Sequence, residues 1–109
     1  MGDGQHIWAA AEWLMFVRNL FVLEEGDTVV IGAGIRPEWL AAGEASFGPT
    51  LTPHGPVTVR FVAGSGTVRV NVEGKWRGAP PRRVLRVPGC AAATVAEGNP
   101  SSDFELLMT

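Results

Sequence analysis

A chain of 109 residues, 46% apolar and 18% charged, has the size and composition of one packed domain covering residues 1–109, and is too apolar for a disordered segment. The net charge of −2 disfavours nucleic acid or an anionic membrane surface as a general partner. Cys90 is the only cysteine, which excludes an intrachain disulfide and fits a reducing, cytoplasmic setting.

After a polar lead, Met1–Gln5, the stretch His6–Leu23 (HIWAAAEWLMFVRNLFVL) contains no Gly or Pro and predicts a helix over residues 6–20. Gln5, Glu12 and Asn19 recur every seven positions on one narrow stripe, and apolar residues fill most of the remaining circumference. A surface helix normally carries an apolar face of about 100°. This helix should therefore be covered on more than one side. A membrane span is disfavoured, because Glu12, Arg18 and Asn19 interrupt the run and it lacks the basic flank of a signal peptide.

Residues 21–25 and 28–32 read as a hairpin across Gly26-Asp27. Gly32-Ala33-Gly34 follows a strand, but Pro37 occupies the third position of a dinucleotide-binding pattern and no long helix follows. The segment reads instead as a turn leading to one helical turn over Glu38–Ala42, opened by Pro37. Residues 44–48 predict a short strand and 49–56 a loop. Val57, Val59 and Phe61, then Val68, Val70 and Val72, alternate with polar residues around Gly64-Ser65-Gly66, so they predict an antiparallel hairpin with one buried face. Trp76 shares the parity of Val72. Further strands are expected at 82–87, with Leu85 and Val87 inward, at 91–96, and at 103–109, with Phe104, Leu106 and Met108 on one side. The sum is a mainly β chain: an antiparallel β-sandwich of seven or eight short strands over residues 21–109, with one N-terminal helix.

Three stretches, AEWLMFVRNLFVLEEGDTVVIGAGIRPEWL (11–40), FGPTLTPHGPVTVRF (47–61) and GKWRGAPPRRVLRVPG (74–89), resemble the C-terminal β-sandwich region that follows the catalytic (α/α)-barrel in some bacterial glycoside hydrolases, rhamnosidase-like and related. The resemblance covers roughly residues 6–89 and leaves the last twenty unmatched. It implies a sandwich fold and carries over no catalytic residue, because the catalytic carboxylates of such enzymes sit in the barrel. It also implies that the first helix has relatives that pack on other helices, so Trp8, Trp13 and Phe16 are expected to form an association surface.

Candidate chemistry is sparse. Two histidines are too few for a metal site, Glu24-Glu25-Asp27 sits in a turn where solvated charge is normal, and Cys90 lacks a basic neighbour. No cofactor or metal is expected, and the chain does not read as an enzyme. Two binding surfaces are candidates. Seven of the nine basic residues fall between Arg60 and Arg86, and Arg60, Arg69 and Arg86 point outward, which suggests an Arg-rich face for an anion. Trp76 is a candidate for stacking on carbohydrate. The expected role is that of a non-catalytic accessory module, a homo-oligomer with a dimer favoured, or one docked to a larger protein partner. The alternative is a carbohydrate- or anion-binding module.

Overall fold

The computed structural model describes residues 2–109, with side chains described from Glu12 onward. The chain is mainly β: helix α1 (Gly2–Phe21) leads into strands β1 (Val22–Glu25) and β2 (Thr28–Ile31), a short helix α2 (Pro37–Ala41) follows, and then β3 (Glu44–Thr52), β4 (Gly55–Ala63), β5 (Thr67–Gly74), β6 (Arg82–Leu85), β7 (Ala93–Val95) and β8 (Asp103–Leu107). The strands form two four-stranded sheets, ordered β1-β2-β6-β7 and β3-β4-β5-β8. All pairings are antiparallel except β2 with β6, which is parallel because the chain crosses to the second sheet and back between them.

Period-two patterning produces the core. Val57, Val59, Phe61, Val68, Val70 and Val72 are buried, and they meet Val29, Ile31 and Leu85 of the other sheet, and Val87 just beyond β6, in one apolar cluster. The hairpin β1–β2 closes over Gly26, whose φ of 62° suits the first central position of a two-residue turn, where a residue with a Cβ would be strained. The C-terminal end of α1 joins the core. There Phe21 stacks against Phe47 and Trp39 at ring-centroid distances of 5.2 and 5.6 Å, and Val17 and Leu20 pack beside it.

Three local expectations are corrected. α1 begins at Gly2, so the lead Gly2–Gln5 is helical. The stretch 49–52, expected to be loop, continues β3, which tolerates Pro49 because β3 is an edge strand and its register with β4 shifts between Phe47 and Thr50. Met108 lies beyond β8, bridges to Cys90 and is exposed, so that strand's inward residues are Phe104 and Leu106.

Candidate functional site

The first surface is the exposed part of α1. Trp13, Leu14, Met15 and Phe16 are all more than half exposed, Trp13 at 63% and Phe16 at 57%. At 3.6 residues per turn, four consecutive positions sweep about 300° of the helix. The side chains of Trp13 and Phe16 stack on each other at 5.7 Å. The side chain of Trp8 lies outside the described residues. No helix is long and apolar enough to cross a membrane among the described residues.

This arm is fixed to the sandwich by Arg18, whose side chain is nearly buried. Its Nη1 donates to the backbone oxygen of Val22 at 3.1 Å and to Glu24 Oε2 at 2.6 Å. Its Nη2 donates to Glu24 Oε1 and to the backbone oxygen of Leu51 at 2.9 Å. The Arg18 guanidinium holds the Glu24 carboxyl below its ordinary pKa, against the opposing effect of burial. Glu24 thus belongs to a partly buried clamp that ties α1 to β1 and β3. Helix periodicity marked Arg18 as an interruption; its partners, distant in sequence, were not visible there.

The second surface is a cleft of about 600 Å³ at one end of the sandwich, walled by Pro49, Pro56, Pro80, Pro100 and Trp76. Thr58, Ser101 and Ser102 supply hydroxyls to it, and Glu73 and Lys75 are its charged residues. Trp76 is placed by two neighbours. A Cβ at Gly74 would overlap the indole ring, so glycine is what allows the ring to lie against β5. From the other sheet, the Arg83 guanidinium carbon lies over the ring at 5.5 Å from its centroid. The indole is therefore engaged in packing between the sheets as well as lining the cleft.

Arg83 is fully buried at 0% exposure. It donates from Nη2 to the backbone oxygen of Asn99 at 2.6 Å, its Nε has no partner among the described residues, and burial lowers its pKa. Sequence reasoning missed this residue, yet a signal was present: Arg83 shares the inward parity of Leu85 and Val87.

The third surface is the outer face of the second sheet, where β4, β5 and β8 form a shallow depression lined by Arg60, Arg69, Asn71, Asp103 and Glu105. Arg60 and Arg69 lie here together, whereas Arg86 follows β6 in the other sheet and is not part of this face. The face is mixed in sign. Arg60 forks onto Glu44 at 2.5 and 3.0 Å, Asn71 donates to Asp103 at 2.8 Å, and Arg69 stands 4.0 Å from Glu105. The Arg60–Glu44 contact lowers the carboxyl pKa and raises that of the guanidinium. Among the described residues no group of three or more His, Cys, Asp or Glu converges as metal ligands would. Burial raises the pKa of the Cys90 thiol.

Comparison with protein-family models, with curated proteins and with solved structures found no match to the chain.

Proposed function

We propose that this chain is a non-catalytic β-sandwich module, similar to the accessory region that follows the barrel in bacterial glycoside hydrolases, and that it acts by association through α1. The observation that carries the reading is the run Trp13–Phe16, apolar and exposed around most of the helix while Arg18 holds the helix end rigidly on the sandwich. A contiguous apolar patch of this kind marks an association surface on soluble proteins. The partner is a second copy or a larger protein. Sedimentation at micromolar concentration tests the reading: wild type should be larger than the 11.6 kDa monomer, and Trp13→Ser with Phe16→Ser should return it to monomer. A wild-type monomer that keeps its helix by circular dichroism would overturn self-association through α1.

A second reading, carbohydrate binding, draws on the hydroxyl-bearing cleft beside Trp76. Affinity electrophoresis through polysaccharide gels tests it, with retardation in its favour and unretarded migration against it.

A further inference from the structure

We infer that the proline-walled cleft takes a small hydroxylated carboxylate, a sugar acid, and that Arg83, buried behind its Trp76 wall, supplies the charge that selects it. The inference rests on the reading of the cleft as a carbohydrate site and names the charge of the ligand.

The first observation is a cation without a counter-charge. Arg83 is fully buried, and no ion pair among the described residues includes it. It donates to the neutral backbone oxygen of Asn99, its Nε has no partner among the described residues, and the indole of Trp76 covers it. Burial lowers its pKa with no acid opposing the shift. A charge taken out of water is costly unless an opposite charge approaches it.

The second observation is where that cation lies. Trp76, whose ring it faces, lines the cleft, and Asn99, whose oxygen it binds, leads into Pro100, Ser101 and Ser102 of the cleft wall. The guanidinium carbon is 5.5 Å from the ring centroid, so an anion in contact with the far side of the indole lies about 9 Å from it. Lys75 and Glu73 offset each other at the cleft, and Arg83 leaves the site with one net positive charge.

The third observation is the lining. The hydroxyls of Thr58, Ser101 and Ser102 both donate and accept, as the hydroxyls of a sugar require. The indole is already packed against Gly74 and Arg83, so selection falls on charge and hydroxyls rather than on stacking. A polyanion would bring many charges to Glu73 and to a protein of net charge −2. The ligand is therefore compact and singly charged, which suits a cleft of about 600 Å³.

Titration of amide chemical shifts with sodium glucuronate, glucose and sodium acetate, at fixed ionic strength, tests this. Glucuronate should shift the amides of Ser101 and Ser102 and bind about tenfold more tightly than glucose or acetate. Arg83→Met, its fold checked by circular dichroism, should weaken glucuronate about tenfold and leave glucose unchanged. Lys75→Met, at an exposed position, should weaken glucuronate about threefold. The preference over glucose that remains in Lys75→Met reads the charge of Arg83 without altering it, and its loss would refute the role of Arg83. Glucose binding as tightly as glucuronate would keep the carbohydrate reading and overturn this one. Acetate binding as tightly would refute a sugar acid. Binding by none of the three removes both readings.

Discussion

Replacing Arg18 with Met keeps an unbranched stem in place and removes every hydrogen bond of the clamp. The backbone oxygens of Val22 and Leu51 lose their bonds from the guanidinium, at about 1 kcal/mol each. Glu24, with 22% of its side chain exposed, is left as a partly buried carboxylate without its cation. The total is about 3 kcal/mol, at the bottom of the range for breaking a fully buried pair because water still reaches Glu24. For a domain of this size that is a fall of about 12 °C in melting temperature. Denaturant titration in a Trp13→Ser background isolates the effect from association, which would otherwise add to apparent stability. The pH dependence has a definite sign. Because Arg18 depresses the folded-state pKa of Glu24 below 4.5, the pair's contribution is fully present above that value. It is lost as pH falls through the lower folded pKa. Arg18→Met should therefore lose less stability than the parent protein on acidification below about pH 4.5. A Met variant within about 0.5 kcal/mol of its parent at pH 7 would refute the clamp, and the apolar packing of Val17, Leu20 and Phe21 would then be what holds α1.

Other expectations follow from single contacts. Val70→Asp places a carboxylate at a position 1% exposed between the sheets and should cost about 3 kcal/mol or more, read by chemical unfolding; a near-normal midpoint would move that strand face out of the core. Gly74→Ala should push the indole of Trp76 off β5, shifting tryptophan emission to the red and changing near-ultraviolet dichroism, while an unchanged spectrum would mean that the ring does not lie there. On a heparin column the protein should elute without retention, because Arg60 and Arg69 each face a carboxylate and Arg86 is on the other sheet. Retention that Arg60→Glu abolishes would show the sheet face to be an anion site despite its acids.

The strands that make the core were legible because their alternation is local. Val57 to Val72 announce an inward face from residue parity alone, and Gly26-Asp27 announces the first hairpin through backbone freedom at one residue. The apolar surplus of α1 was equally plain, since it needs only the count of polar residues around one helix. What parity cannot supply is which strand lies beside which. The parallel pairing of β2 with β6 joins residues 54 positions apart, such as Thr28 and Arg82, and the separation of Arg86 from Arg60 and Arg69 follows from the division of strands between two sheets. The same division brings Trp76 under Arg83 and gathers Pro49, Pro56, Pro80 and Pro100 around one cleft. Those residues carry no periodic signal of their own, and each reads locally as a turn. Arg18 is the clearest case: within its helix it is a lone charge, and only the hairpin and the neighbouring β3 edge supply the carboxylate and carbonyls that let it be buried. Local sequence determined the secondary structure and the faces; long-range packing decided the partners, because burial lets a charge persist only where distant atoms complete its hydrogen bonds.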